Sequence, residues 1–290
     1  MTGITLALSR RVRMAFENAK AHPRTTLTIV GGVAAGLFFA STVGRRLQPR
    51  PTRLDNTSGC GLERVSAVIF DVDGTLIDSN AAHAETWALA LSEHGFPCEV
   101  ADVRPLVGMG GDKLLPAIVG VEHTSSQGRA IAERKKSLFA ERLPRLKATR
   151  GARSLVSYLR DQKKDIVIAT SADEEEMLAL LEQAGVADLI PRRASKDDVT
   201  RSKPDPDLVQ AALSKTGSRA ARAVMIGDTP YDVEAARRAG LQTIALRCGG
   251  YWSDSELRTT AIFDDPAALL VQWKRDSAAG VPVDSDGTVV

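Results

Sequence analysis

Cysteine is scarce in this chain, which has three cysteines among 290 residues, at Cys60, Cys98 and Cys248. Their number is odd and no two of them form a Cys-x-x-Cys pair, so their spacing supports neither a disulfide framework nor a zinc site. Scattered thiols of this kind fit a reducing compartment. With 43% hydrophobic and 26% charged residues, the composition is that of an ordinary globular protein.

The body of the chain also lacks an excess of positive charge. Residues 1–64 contain ten Lys/Arg and three Asp/Glu, whereas residues 65–290 contain 28 Lys/Arg and 33 Asp/Glu. The formal net charge of +2 therefore combines a basic N-terminal segment with a mildly acidic body. Binding to a nucleic-acid backbone requires a positively charged face. We therefore expect no nucleic-acid partner for the body.

One long segment lacks charged residues altogether. Thr25–Val43 contains nineteen uncharged residues, which as a helix would span about 28 Å, close to the thickness of the hydrocarbon core of a bilayer. Its five Ser/Thr residues leave a buried or signal-like segment as the alternative. We predict a transmembrane helix at 25–44, preceded by a basic segment at 1–24 and followed by a linker at 45–63.

A single membrane helix would tether the body to membrane lipid. Gly32 and Gly36 form a small-xxx-small face on it, which can pack against the helix of a second copy. Five Lys/Arg lie close to each end of the segment, so the positive-inside rule assigns no orientation. The scattered thiols favour a body in the cytoplasm, with a soluble cytoplasmic protein as the alternative. Arg10 and Arg11 resemble a twin-arginine signal but lie far from the apolar segment, which disfavours export.

Short apolar runs alternate with helical patterns from residue 65 onward. The predicted strands are Val65–Phe70, Asp165–Thr170, Leu189–Arg192, Ala223–Gly227 and Gln242–Leu246, and the predicted helices between them are Glu174–Ala184, Leu208–Ser214 and Asp232–Ala239. This alternation predicts an α/β protein with a Rossmann-like parallel sheet and helices on both of its faces. We assign residues 64–78 and 149–272 to this core, and 273–290 to a disordered tail.

The stretch between the first and second strands breaks the alternation. Its predicted helices are Ala81–His94, Lys113–Val119 and Gly128–Leu143, with no convincing strand among them. Ligands of parallel sheets bind beyond the carboxyl ends of the strands, and this insertion leaves the sheet at such an end. We therefore predict an inserted α-helical cap at 79–148 above the ligand site, with hinges near Ser79 and at 148–151.

Two carboxylates directly follow the first strand, in the sequence Asp71-Val72-Asp73-Gly74-Thr75. The apolar run before them is typical of a buried parallel strand. Clustered carboxylates at such a place are costly unless a divalent cation compensates their charge. A polar Asp-Gly turn that closes the strand is the alternative.

Three further signals stand at or after the ends of later strands. Thr170 closes the second strand, where its hydroxyl could donate a hydrogen bond to an oxyanion. Lys203 lies in a loop that two prolines stiffen. Asp228 and Asp232 follow the fourth strand as a second pair of carboxylates. Each signal alone is compatible with an ordinary strand end, surface loop or turn, but their order and placement together indicate one site.

With these four motifs the chain resembles the haloacid dehalogenase-like superfamily, in its branch with a small helical cap that includes phosphoglycolate phosphatases and β-phosphoglucomutases. The resemblance covers about residues 65–270. It implies that Asp71 attacks the phosphorus of a phosphate monoester and forms an aspartyl-phosphate. It also implies that Asp73 protonates the leaving oxygen and then activates the water that hydrolyses the intermediate.

The resemblance further implies a Mg²⁺ cofactor. The residues expected around the metal are Asp71, Asp73 through its backbone carbonyl, Asp228 and Asp232. Thr170 would hold phosphoryl oxygens, and Lys203 would balance the excess of carboxylates. Asp232 would orient Lys203 or a metal-bound water. The implied substrate is a small phosphorylated metabolite.

Asp73 discriminates among the activities of the superfamily. Its dehalogenases need no acid for the leaving group and lack an aspartate two residues after the nucleophile, so Asp73 favours phosphoester chemistry. We therefore predict a Mg²⁺-dependent phosphatase. A β-phosphoglucomutase-like mutase is the first alternative, because the start of the cap, with Ser79 and His83, resembles mutases. A catalytically vestigial, membrane-anchored scaffold is the non-enzymatic alternative, which the intact motifs disfavour.

Three departures count against the mutase. Gly111 stands where mutases carry a cap arginine for a second phosphate, and Gly227 precedes Asp228 where mutases commonly have glutamate. Asp173 and Glu174 follow the second motif, where mutases carry a Lys-Asn pair that binds the substrate. These two acids either repel a second phosphate or form an ordinary acidic helix N-terminus. Phosphoglycolate phosphatases usually carry a lysine there too, which weakens that assignment. The candidate substrate-contacting residues are Ser171, Ser79, His83 and Lys113.

Overall fold

Buried apolar runs build a parallel sheet at the centre of the body. The computed structural model describes residues 64–259 and 261–279. Its strands, in chain order, are β1 (Ala67–Phe70), β2 (Ile77–Asp78), β3 (Lys147–Ala148), β4 (Asp165–Ala169), β5 (Arg192–Ala194), β6 (Ala223–Gly227), β7 (Gln242–Leu246) and β8 (Ala261–Phe263). Six of them form one sheet in the order β5-β4-β1-β6-β7-β8, and every neighbouring pair in it is parallel.

Helices cover both faces of this sheet. In chain order, the α-helices of the described residues, including those of the insertion between β2 and β3, are α1 (Asn80–Glu93), α2 (Val100–Val103), α3 (Gly111–Val119), α4 (Ser126–Arg142), α5 (Ala152–Asp161), α6 (Glu174–Gln183), α7 (Asp207–Ser214), α8 (Pro230–Ala239), α9 (Asp254–Leu257) and α10 (Pro266–Ala279). Side chains alternate between the faces, so Phe70 and Ile168 pack with α5, α6 and α10, whereas Ile69 and Val167 pack with α7 and α8. The predicted α/β class with a Rossmann-like sheet is confirmed.

The segment between β2 and β3 forms a helical layer with its own core. Trp87, Leu115 and Ile131, from α1, α3 and α4, are buried together there. The two chain connections to this layer pair as an antiparallel ladder, in which Ile77 lies opposite Ala148. The sequence did not predict this ladder, because each of its strands is only two residues long. Backbone hydrogen bonds thus join the two expected hinges.

The third predicted strand, Leu189–Arg192, is wrong in its position, because β5 runs from Arg192 to Ala194. Pro191 has no N–H to donate to a ladder, so it disfavours a strand there. Leu189 and Ile190 are buried in the core on the α5–α6 face, from the turn that precedes β5. This apolar pair therefore reflects burial rather than a strand.

The C-terminal boundary also differs from the prediction of a disordered tail at 273–290. The helix α10 continues to Ala279, and Trp273 is fully buried in the core on the α5–α6 face. The edge strand β8, which the sequence analysis did not predict, precedes this helix. The strand β8 has only three residues, too few for a periodic pattern, so its place at the edge of the sheet depends on long-range pairing.

The predicted transmembrane helix at 25–44 lies outside the described residues, as do the basic segment at 1–24, the linker at 45–63 and the Gly32–Gly36 face. These assignments stay predictions. Across residues 64–259 and 261–279, no helix combines the length and the apolar character that crossing a bilayer requires.

Candidate active site

The carboxyl ends of three neighbouring strands bring the predicted motifs together. β1 lies between β4 and β6, so Asp71, Thr170 and Asp228, each the first residue after its strand, meet at one edge of the sheet. All three are at most 4% exposed. The helix α8 starts just after Asp228 and carries Asp232 in its first turn, and the loop before α7 supplies Lys203. Four separate chain segments thus form one buried site.

One ammonium group lies near three carboxylates at the centre of this site and contacts two of them. Asp71, Asp228 and Asp232 each present an oxygen within 4.8 Å of the others. Lys203 Nζ donates hydrogen bonds to Asp71 Oδ1 at 2.5 Å and to Asp232 Oδ1 at 2.7 Å. Because Lys203 is 1% exposed, its ammonium needs these partners in place of water. Three carboxylates against one lysine leave the cluster with an excess of negative charge.

The pKa values reflect this excess. Burial is the main reason that the pKa of Asp71 rises to about 8; Lys203 opposes the rise, and the charges of Asp232 and Asp73 add to it. Burial, with the charges of Asp232 and Asp71, also holds the pKa of Asp228 well above its ordinary value. Burial alone would lower the pKa of Lys203, but Asp232 and Asp71 raise it above its usual range. A second positive charge would therefore stabilise the ionised carboxylates.

A divalent cation fits this donor set, because clustered carboxylate oxygens are the ligands that Mg²⁺ prefers. Asp71 and Asp228 would hold the ion directly. Both oxygens of Asp232 already accept hydrogen bonds. Oδ1 accepts from Lys203 Nζ. Oδ2 accepts from the Thr229 hydroxyl at 2.7 Å and from the Thr229 backbone N–H at 3.1 Å. The Asp73 side chain has other partners, and its expected contact with the metal is through the backbone carbonyl.

Helix α1 holds the Asp73 carboxylate. Ser79 Oγ donates to Asp73 Oδ1 at 2.5 Å, and His83 Nε2 donates to the same oxygen at 2.8 Å. Burial would raise the pKa of Asp73, but the charge of His83, the hydrogen bonds from His83 and Ser79, and the charge of Lys135 together lower it to about 2. The His83 ring stacks on Phe139 with 4.0 Å between centroids. Asp73 is therefore an ionised carboxylate at neutral pH in this arrangement.

Two hydroxyl groups beside the cluster are available to a bound anion. Thr170 Oγ1 accepts a hydrogen bond from the Ala172 backbone N–H at 3.1 Å, which leaves its own hydrogen free to donate. Ser171 Oγ is buried and has no hydrogen-bond partner within the part of the chain that the structure describes. Both groups can therefore donate to phosphoryl or substrate oxygens.

The structure does not bring Lys113 to the carboxylate cluster. Lys113 Nζ donates to the Ser202 carbonyl at 2.7 Å and to Asp205 Oδ2 at 2.5 Å. The neighbouring Asp112 Oδ1 accepts from Ser202 Oγ at 2.6 Å. Because Ser202 directly precedes Lys203, these contacts join the start of α3 to the loop that carries the buried lysine. Lys113 thus links the cap to the core.

Lys135 is a charged residue near the site that sequence reasoning missed. It is 8% exposed on α4, with Nζ at 3.2 Å from Glu176 Oε2 and 4.5 Å from the Phe139 ring centroid. Its charge contributes to the low pKa of Asp73. The sequence did contain a signal, because Lys135 lies four residues after Ile131 and four before Phe139, on the apolar face of a helix.

Comparison with known proteins identifies the family to which these motifs belong. A family model described as haloacid dehalogenase-like hydrolase matches residues 68–246. A phosphoglycolate phosphatase of Rhodospirillum rubrum is 32% identical over 215 residues, which cover 70% of this chain and 88% of that protein. A validoxylamine A 7'-phosphate phosphatase of Streptomyces hygroscopicus subsp. limoneus is 28% identical over 178 residues, which cover 61% of this chain and 84% of that protein.

A solved structure shares both the fold and part of the sequence. The crystal structure of a hydrolase from Pseudomonas syringae matches with a TM-score of 0.68 and 28% identity, and the match covers 72% of this chain and 98% of that one. The family match spans more than half of the chain and includes the strands β1, β4 and β6 that carry the site. The chain therefore belongs to the haloacid dehalogenase-like hydrolase family, and within it is a phosphoric monoester hydrolase.

Proposed function

We propose that the chain is a Mg²⁺-dependent phosphatase that hydrolyses a small phosphorylated metabolite through an aspartyl-phosphate on Asp71. The observation that carries the proposal is the buried cluster of Asp71, Asp228 and Asp232 around the single ammonium of Lys203. Buried charges are costly to a fold, and a vestigial scaffold would have no use for them. The scaffold alternative is therefore set aside.

The first step is attack of the Asp71 carboxylate on phosphorus, which breaks the bond to the leaving oxygen. Lys203 orients this carboxylate through its 2.5 Å hydrogen bond to Oδ1. The hydroxyls of Thr170 and Ser171 donate to the oxygens of the transferred phosphoryl group. When bound, Mg²⁺ supplies the positive charge that offsets the repulsion between the phosphate dianion and the carboxylate.

Asp73 moves the protons of both steps. With a pKa of about 2 in the present contacts, it is ionised and suited to take a proton from the attacking water in the second step. The first step needs Asp73 in its protonated form. The negative charge of a bound phosphate favours this form, because it raises the pKa of a nearby carboxyl. The hydrogen bonds from Ser79 and His83 keep this carboxyl in place between the cap and the nucleophile.

The contacts around the cap favour a phosphatase over a mutase, which must also bind a second phosphate. A side chain at Gly111, the position of the mutase arginine, would press on the Trp87 ring at 3.2 Å. Asp173 Oδ1 accepts from the Glu176 backbone N–H at 2.8 Å, as the N-cap of α6, and its other oxygen lies 3.3 Å from Lys136 Nζ. Of the two interpretations of Asp173, these contacts support the acidic helix terminus, so Gly111, and not Asp173, counts against a mutase here.

The direct test is turnover by the purified full-length chain. We expect hydrolysis of p-nitrophenyl phosphate that stops on chelation of the metal and returns when Mg²⁺ is added. Incubation with β-glucose 1-phosphate and a trace of the bisphosphate separates the two enzymes, because a phosphatase releases inorganic phosphate whereas a mutase accumulates glucose 6-phosphate. Absence of Mg²⁺-dependent turnover, with p-nitrophenyl phosphate and with a panel of phosphorylated metabolites, would contradict the proposal.

Metal binding is expected to release a proton at neutral pH. The pKa of Asp71 is about 8 without metal, so below that pH its carboxyl carries a proton, which Mg²⁺ displaces. The pKa of the second ligand, Asp228, is also held well above its ordinary value, so calorimetric titration at pH 7 in buffers of different ionisation enthalpy should give one or more protons released per ion. As pH rises through about 8, the number of protons released per ion should fall as Asp71 ionises, while the apparent Mg²⁺ affinity rises. Affinity independent of pH between 6 and 9 would count against the Asp71 ligand.

A further inference from the structure

Asn80 is a buried polar residue that the sequence analysis did not consider. It is the first residue of α1, directly after Ser79, and it is 7% exposed. Its Nδ2 donates to Asp228 Oδ2 at 2.7 Å and to the Gly249 carbonyl at 3.2 Å. The Gly249 carbonyl can only accept, as can the Asp228 carboxylate when it is ionised, so the amide turns its nitrogen towards them. The contact joins the first helix of the cap to a carboxylate of the proposed metal site.

The surroundings of Asp228 leave its carboxylate little freedom. Thr75 Oγ1 donates to Asp228 Oδ1 at 3.2 Å, while Asn80 occupies Oδ2. A side chain at Gly74 would collide with both Asn80 Nδ2 and Asp228 Oδ2, and one at Gly249 would collide with Asp228 Oδ2. Two glycines thus give Asn80 the space to reach Asp228, so the orientation of this carboxylate depends on the amide.

The other end of the amide has no partner. Within the described residues, Asn80 Oδ1 is buried and accepts no hydrogen bond, an arrangement that costs free energy unless a donor is supplied. A hydrated Mg²⁺ ion brings such donors, because it keeps several of its waters when it binds to carboxylates. The amide therefore offers a donor to the metal ligand and an acceptor to the water shell of the ion.

We propose that Asn80 is a positioning residue of the metal site, which orients Asp228 through Nδ2 and accepts a hydrogen bond from a water of the hydrated ion through Oδ1. This inference rests on the proposed Mg²⁺ site and extends it to the first helix of the cap. Residues that orient metal ligands typically change metal affinity by about 10-fold to 100-fold when they are removed. Asn80 therefore sets how tightly the site holds Mg²⁺.

The test is calorimetric titration of the metal-stripped, full-length chain with Mg²⁺ alone, without substrate. Asn80→Ala should raise the Kd for Mg²⁺ by about 10-fold or more. Asn80→Ser should raise the Kd by a similar factor, because the serine side chain is too short to reach Asp228. If the alanine variant does not fold, the serine variant tests the inference in its place. Glu85→Gln is the matched control, since Glu85 lies on the exposed face of α1 and pairs with Arg142. Its Kd should equal that of the wild type.

The melting temperature of each metal-free variant separates positioning from packing. A residue that only packs would lower this temperature and leave the Mg²⁺ Kd unchanged, and that result would overturn the inference. A wild-type Kd in both Asn80 variants would overturn it as well. Failure of the wild-type chain to bind Mg²⁺ is a different result, because it would remove the proposed metal site itself.

Discussion

Replacing Asp71 by asparagine is expected to lower turnover by on the order of 10⁴-fold or more. A carboxamide is too weak a nucleophile to form the aspartyl-phosphate, and the substitution also removes one of the three carboxylates of the proposed metal site. Lys203 keeps Asp232 as a partner at 2.7 Å, so the variant should fold. The measurements are kcat with p-nitrophenyl phosphate at saturating Mg²⁺, and mass spectrometry of acid-quenched enzyme, which should detect no phosphorylated protein.

The matched control for this variant is Asp161→Asn. It makes the same chemical change at an exposed position at the end of α5, and it should retain wild-type kcat and melting temperature. If Asp71→Asn, folded by the same criterion, keeps turnover within about tenfold of the wild type, Asp71 is not the nucleophile and the proposed mechanism fails.

Replacing Asp73 by asparagine is expected to lower turnover by about 10²-fold to 10⁴-fold, because an amide can neither give up nor take up the proton in either step. The loss in the first step should depend on the leaving group. A nitrophenolate leaves without a proton, whereas the alkoxide of a sugar phosphate needs one. With p-nitrophenyl phosphate the enzyme should therefore become phosphorylated, and the phospho-enzyme should accumulate because the water is no longer activated.

Two comparisons make this prediction specific. Acid-quenched Asp73→Asn should carry a phosphoryl group, whereas Asp71→Asn should carry none. The ratio of turnover with p-nitrophenyl phosphate to turnover with an alkyl phosphate should be larger in Asp73→Asn than in the wild type. An equal loss on both substrates, without accumulation of phospho-enzyme, would mean that the Asp73 carboxyl only helps to hold the cap residues Ser79 and His83.

The catalytic edge of the sheet could be predicted because it depends on local patterns. Each of the strands β1, β4 and β6 is a short apolar run that ends at a polar residue, and parallel strands point their carboxyl ends to one side. The sequence therefore predicts that Asp71, Thr170 and Asp228 meet at one edge of the sheet. The bounds of the long helices, such as α1 and α4, follow from their apolar spacing to within two residues.

The predictions that failed concern elements whose position depends on distant contacts. The strands of the ladder between the core and the cap have two residues each, too few for a periodic pattern. Leu189 and Ile190 are apolar because a loop buries them, and Trp273 belongs to the core because the C-terminal helix docks on the sheet. No local sequence pattern shows which of these residues are buried, because packing against an element distant in sequence produces no hydrophobic periodicity.

By itself, the sequence determined the class of fold, the order of the four motifs and the chemical character of the site, because strand patterns and carboxylate spacing are local properties. The resemblance to the family also implied Lys203 beside them, but only the tertiary structure decided which carboxylate oxygens Lys203 contacts and that Asn80 joins the site. Asn80 reaches Asp228 across 148 positions of sequence, and Lys203 reaches Asp71 across 132. Such contacts depend on how the cap and the loops pack on the sheet, because charges that become buried there need partners. The linear sequence does not show which residues this packing brings together.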